Sequence, residues 1–134
     1  MHPLRKLIFD EKLLSSLAKT YGTPLYIYSQ ERITENVLNL KNALNKHFEK
    51  FHICYAIKSN SNPHLIKTMR EAFPKIGGDC SSPGEIYAAE LSGIDPSDCI
   101  YTGNYESPSD LKKALTKQCN INLDDITSLN RIKK

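Results

Sequence analysis

Phe51-His52-Ile53-Cys54-Tyr55-Ala56-Ile57-Lys58-Ser59-Asn60-Ser61-Asn62-Pro63 runs from an apolar stretch through a polar loop into a proline. Phe51 to Ile57 has the aromatic and β-branched content of a buried strand. Asn62-Pro63 then offers a side-chain acceptor at a helix cap and a proline in the first turn, where its missing N–H costs nothing. The stretch reads as one strand, loop and helix, with Lys58 where the strand opens into the loop. Apolar walls around an amine held there disfavour the ammonium form, and the free amine is a nucleophile towards an aldehyde. Taken alone, a lysine just past a strand is most often simply solvated.

The same unit recurs along the chain. Short apolar runs near Lys75 to Cys80, Cys99 to Gly103 and Asn120 to Leu123 follow at intervals of about two dozen residues, the βα rhythm. Between them lie helical spacings: Leu65, Met69 and Phe73; Ile86 and Ala89; Leu111, Ala114 and Leu115. Ser82-Pro83 and Ser107-Pro108 repeat the cap device, and Ser82 with Glu85 and Ser107 with Asp110 have capping-box spacing. Upstream, Asp10 to Tyr21 reads as a helix with Leu13, Leu14 and Leu17 inward, ended by a left-handed cap at Gly22. Thr23 to Tyr28 reads as a strand. It feeds a longer helix from near Ser29 that carries Ile33, Val37, Leu40 and Leu44 on one face.

With 134 residues, 40% of them hydrophobic, the chain is sized for one folded domain. Its net charge of +3 is small and its basic residues are scattered, so nothing points to nucleic acid or an anionic membrane. No apolar stretch approaches the roughly 20 residues of a membrane span, and Met1 to Lys6 leads into no signal-peptide core, so a cytoplasmic protein is expected. Cys54, Cys80, Cys99 and Cys119 lie far apart within or beside apolar runs, as buried free thiols would, and not at zinc-ligand spacing. His2, His47, His52 and His64 are unclustered.

Strands alternating with helices must run parallel. An eight-stranded barrel and an open doubly wound sheet both satisfy that alternation, and both gather their site beyond the carboxyl ends of the strands. Lys58, Asp79, Gly103 with Asn104, and Asp124 with Asp125 are each expected just after a strand, on one face.

Thr23-Pro24-Leu25-Tyr26-Ile27-Tyr28, Tyr55-Ala56-Ile57-Lys58-Ser59-Asn60, Gly78-Asp79-Cys80-Ser81-Ser82-Pro83-Gly84-Glu85 and Tyr101-Thr102-Gly103-Asn104 follow one another in a familiar order. From about Thr23 to Leu129 the chain resembles the N-terminal part of the diaminopimelate, ornithine and arginine decarboxylases. These are pyridoxal-phosphate enzymes built on an alanine-racemase-like barrel. The resemblance implies α/β architecture: the N-terminal half of a (β/α)8 barrel over residues 51–134. Residues 1–50 then supply a helix, a strand belonging to a separate β-domain, and the first long helix. It also implies that Lys58 carries the cofactor and later returns a proton. Asp79 would lie near the cofactor and the amine, Ala56 would leave room beneath the ring, and Tyr55 would pack beside it. Glu85 matches a family acid but already has a cap to serve, and Asn60 matches a position that orients the loop. Alanine racemases follow their lysine with a Tyr-Gly element, whereas Ser59-Asn60-Ser61-Asn62-Pro63 enters a helix directly, which favours the decarboxylases. The motifs look most like the diaminopimelate branch of lysine biosynthesis. Ser59 replaces the more usual alanine, and Glu106 stands where many of that branch carry lysine.

Members of that family are much longer than this chain. Their carboxylate partner for the pyridine nitrogen, glycine-rich phosphate site and ring-stacking histidine have no counterpart here, and Gly77-Gly78 lies within a strand instead of before a helix start. The expectation is an N-terminal fragment, inactive alone, that homo-oligomerises or associates with its missing half. The substrate would be a small amino acid such as diaminopimelate. The alternatives are an ornithine- or arginine-type enzyme of polyamine synthesis, and a non-catalytic binding protein that keeps the family's dimer surface.

Overall fold

A computed structural model describes residues 10–104 and 106–132. Two helices, α1 (Glu11–Tyr21) and α2 (Gln30–Asn45), lead into alternating units: β1 (Cys54–Ala56), α3 (Pro63–Ala72), β2 (Gly77–Cys80), α4 (Pro83–Leu91), β3 (Ile100–Thr102), α5 (Pro108–Thr116), β4 (Asn120–Asn122) and the short α6 (Leu129–Ile132). The four strands form one sheet in the order β1-β2-β3-β4, and every pair is parallel. This is the expected half of a βα barrel.

Each proline-started helix begins as its sequence dictates. Asn62, Ser82 and Ser107 accept hydrogen bonds from His64 N, Glu85 N and Asp110 N, with Pro63, Pro83 and Pro108 in the first turn. The capping box of α4 closes differently from its spacing. The Glu85 carboxylate accepts from Ser81 N at 2.8 Å and from Ser81 Oγ at 3.0 Å, and so ties the end of β2 to the helix. Helices α4 and α5 both end in Schellman turns, with Ile94 N donating to Ala89 O and Cys119 N to Ala114 O. The left-handed residue is Gly93 in the first and Gln118, at φ 62°, in the second.

The core lies between sheet and helices. Ile57, Cys80, Tyr101 and, just before β3 and β4, Cys99 and Cys119 meet Ile66, Ile86, Ala89, Leu111 and Ala114. The expectation that Leu115 also turns inward is not met: it is exposed. Burial pushes the Cys119 thiol up to about 11 and raises Cys54 also. Cys80 is raised by a hydrogen bond shared with Cys99 and by burial, while that same bond lowers Cys99.

Three upstream expectations change. α1 forms, capped by Asp10, yet buries no residue, and Leu13 and Leu14 stay exposed because no described element packs over them. Gly22 does adopt positive φ (81°), but with ψ 180°, outside the left-handed helical well. Thr23 to Tyr28 is not a strand: it opens on a bend at Thr23-Pro24 and continues without regular structure, no partner supplies a ladder, and Leu25, Tyr26 and Tyr28 are exposed. α2, started by Ser29, packs on α3 but buries no residue completely. Among the described helices none is long and apolar enough to cross a membrane.

Candidate active site

Register places Ala56 beside Asp79, Asp79 beside Ile100 and Ile100 beside Asn120, one row running across the sheet. Alternation puts this row on the face opposite the helices, the face that lines a barrel's interior. The next interior row, at the carboxyl mouth, carries Thr102 beside Asn122, whose Nδ2 donates to Thr102 Oγ1 at 3.4 Å. Lys58 lies at this mouth, in the 3-10 turn Ile57–Ser59 that closes β1. Its neighbour Ile57 is fully buried in the core and anchors the turn.

Lys58 is exposed. The apolar walls expected around its amine are not built by this chain, because four strands cover the mouth from one side only. Asp79 differs from expectation in place: it is the third residue of β2 and not a loop residue, half-buried on the interior face one register step from Ala56. Ala56 and Asp79 thus share a row directly beneath the Lys58 turn. Tyr55 points the other way. It packs against the helix-side core, burial pushes its phenol up, and its hydroxyl donates to Asn60 O at 3.2 Å. Its place is that of a packing residue which braces the turn from behind.

Asn60 does more than its position suggests. Its Nδ2 donates to Tyr28 Oη at 3.0 Å, and its Oδ1 accepts from Asn62 N at 3.0 Å. The turn after Lys58 is therefore clasped to the Thr23–Tyr28 segment, across 32 positions of sequence. Tyr28, Thr102 and Asn122 are site residues that sequence reasoning missed. Asn122 could have been found, because a polar pair flanking Ile121 in an apolar run marks an interior wet face. Nothing local to Tyr28 signals its partner. Glu106 is buried, and a Cβ at Gly103 would collide with its side chain, which fixes the loop after β3. Gly103 with Asn104 follows β3, and Asp124 with Asp125 follows β4, at the same mouth. Among the described residues no three His, Cys, Asp or Glu side chains are placed to hold a metal.

Parallel βα units with an exposed lysine on the turn after the first strand, and small and acidic residues beneath it, define the class: the lysine-bearing half of a βα barrel. The match to known proteins narrows this class. Residues 31–134 match the pyridoxal binding domain of the pyridoxal-dependent decarboxylases, and the chain belongs to that family. It is 39% identical over 116 residues to a diaminopimelate decarboxylase of Methanothermobacter thermautotrophicus, covering 87% of this chain and 27% of that one. A diaminopimelate decarboxylase of Aquifex aeolicus is 38% identical over 113 residues, with 84% and 26% covered. The crystal structure of diaminopimelate decarboxylase from Helicobacter pylori complexed with L-lysine superposes with a TM-score of 0.79 at 32% identity, over 89% of this chain and 29% of that one. The chain thus spans less than a third of the length of these relatives and corresponds to their N-terminal part.

Proposed function

We propose that this chain supplies the lysine-bearing wall of the pyridoxal phosphate site in a diaminopimelate decarboxylase, and that it releases no carbon dioxide by itself. The observation that carries the reading is the placement of Lys58 on the turn closing β1, directly above the interior row of Ala56 and Asp79. The likeness to diaminopimelate decarboxylases supports the substrate.

The residues present fit such a group on one side. An exposed amine is reachable by an aldehyde, and the small Ala56 leaves space on the face beneath it. When bound, pyridoxal phosphate accepts the electron pair left on the α-carbon as the carboxylate departs. Lys58 Nζ would be the residue that holds the group and, once freed by the substrate amine, would hold the proton that is returned to the substrate. The Asp79 carboxylate, fixed on a strand instead of a loop, offers negative charge to an amine that gains and loses a proton. Tyr28 and Asn60 hold the turn. Groups for the phosphate, the pyridine nitrogen and the far side of the ring come from outside this chain, either the rest of a longer polypeptide or an associated subunit.

The test is to incubate the chain with pyridoxal phosphate, reduce with borohydride and map the mass adduct, with Lys58→Ala alongside. One adduct at Lys58, lost in the variant, is expected; labelling scattered over surface lysines overturns the reading. Joining residues 1–134 to the remaining part of the Methanothermobacter thermautotrophicus enzyme and measuring carbon dioxide release from diaminopimelate, ornithine and arginine then tests the substrate. Turnover is expected with diaminopimelate.

A further inference from the structure

Helix α4 is apolar on more than its buried side. Ile86 and Ala89 face the core, yet Tyr87 and Leu91 are 62% and 58% exposed. With Pro83 they stand four residues apart, and residues so spaced line up as one ridge along a helix. A helix that meets a core on one side only carries polar residues on the other, so an outward apolar ridge marks a second contact. The ridge lies well inside the chain, on a helix flanked by α3 and α5. The outward side of a barrel helix stays on the surface when the barrel closes, because the helices form its outer ring.

Beside the ridge runs a trough between α4 and α5. It is a cavity of about 540 Å³ with Pro83, Ile86 and Tyr87 on one side and the apolar stems of Lys112, Lys113 and Lys117 on the other. Among the described residues Glu90 is the one acid that lines it, and Lys117 Nζ already holds Glu90 Oε1 at 2.6 Å. Asp110 reaches Lys113 at 3.8 Å from outside the trough, in a solvent-screened and therefore weak pair. Lys112 has no ion pair among the described residues. The wall opposite the ridge is positive. Two helices of nine residues make the trough about 13 Å long, and its volume over that length takes one row of side chains and not a whole helix, which is about 10 Å across. An occupant that sets one row of side chains between two helices is itself a helix, packed ridge into groove.

We propose that the trough between α4 and α5 docks an acidic amphipathic helix of a partner protein. Its apolar row packs against Pro83, Tyr87 and Leu91, and its carboxylates lie over Lys112 and Lys113. Tyr87 is the anchor, since a large ring that needs no further ordering gives most contact area for least entropy, and the lysines select the sign of the partner. The docking site lies on the outer side of the helices and is independent of which cofactor or substrate the chain takes at Lys58.

The test uses two synthetic helical peptides of about four turns, each with leucines along one side, flanked by glutamates in the first and by lysines in the second. Binding to the whole chain is followed by fluorescence anisotropy and by amide chemical shifts. The glutamate peptide is expected to bind about tenfold more tightly than the lysine peptide, to weaken as salt rises, and to shift the amides of α4 and α5. Tyr87→Ser and the double variant Lys112→Glu/Lys113→Glu alter exposed positions, so far-ultraviolet circular dichroism stays unchanged while each weakens binding about tenfold. Four results each overturn the proposal: no binding of the glutamate peptide, equal binding of both peptides, shifts centred elsewhere, such as the cleft between α2 and β1, or unchanged affinity in either variant.

Discussion

Replacing Asn60 by alanine removes two hydrogen bonds from the Lys58 turn, the donation to Tyr28 Oη at 3.0 Å and the acceptance from Asn62 N at 3.0 Å. Hydrogen bonds of this kind contribute about 0.5–1.5 kcal/mol each, and both are exposed, so the low end applies and the pair amounts to about 1 kcal/mol. Since 1.4 kcal/mol is tenfold, the ordered turn should become about fivefold less populated. Tyr28→Phe breaks only the first bond and should cost about twofold. The assay is the initial rate of borohydride-trapped adduct at Lys58 with pyridoxal phosphate below saturation, beside urea unfolding of each variant. In the double variant Tyr28→Phe/Asn60→Ala the rate should match that of Asn60→Ala alone, because the shared bond is already gone. Variants that label at the parental rate while losing urea stability would show that the clasp serves the fold and not the lysine. Strictly multiplicative effects in the double variant would show that Tyr28 and Asn60 do not act through one bond.

Gly77→Ala should destabilise the chain by at least about 1–3 kcal/mol in urea, since a Cβ there collides with the Asp98 carbonyl oxygen and forces β2 from the turn before β3; an unchanged midpoint would refute that packing. Gln118→Gly should stabilise by roughly 0.5–1 kcal/mol, because the left-handed φ that ends α5 suits glycine, and a fall in stability would contradict the turn geometry. Alkaline pH should destabilise the fold. Cys119 rises from 9.0 unfolded to about 11 folded, so the unfolded chain loses its proton first and stability falls from about pH 9 to about pH 11, with Cys54 raised in the same sense. Urea midpoints that stay level across that window would sink the assignment of these thiols to the core.

The local part of the design was legible in the residues themselves. Asn62-Pro63, Ser82-Pro83 and Ser107-Pro108 start helices where expected because a cap spans three or four neighbours and needs nothing remote. The alternation of apolar runs with these starts sufficed for a parallel βα sheet, and it put Lys58 on a turn after a strand. Matters of pairing were not legible. Asp79 reads as a loop acid beside Ser81-Ser82-Pro83, and only register with Ala56 and Ile100 makes it an interior strand residue. Tyr55 differs from Ala56 by one position, yet sheet alternation sends it to the helix side. Thr23 to Tyr28 has the composition of a strand, but a ladder requires a second backbone that the described residues do not place beside it. The leucines of α1 form an apolar face with nothing described to cover it. Sequence determined the elements whose causes lie within a few residues, and tertiary structure alone decided the faces and the Tyr28–Asn60 clasp, because those depend on contacts between positions far apart in the chain.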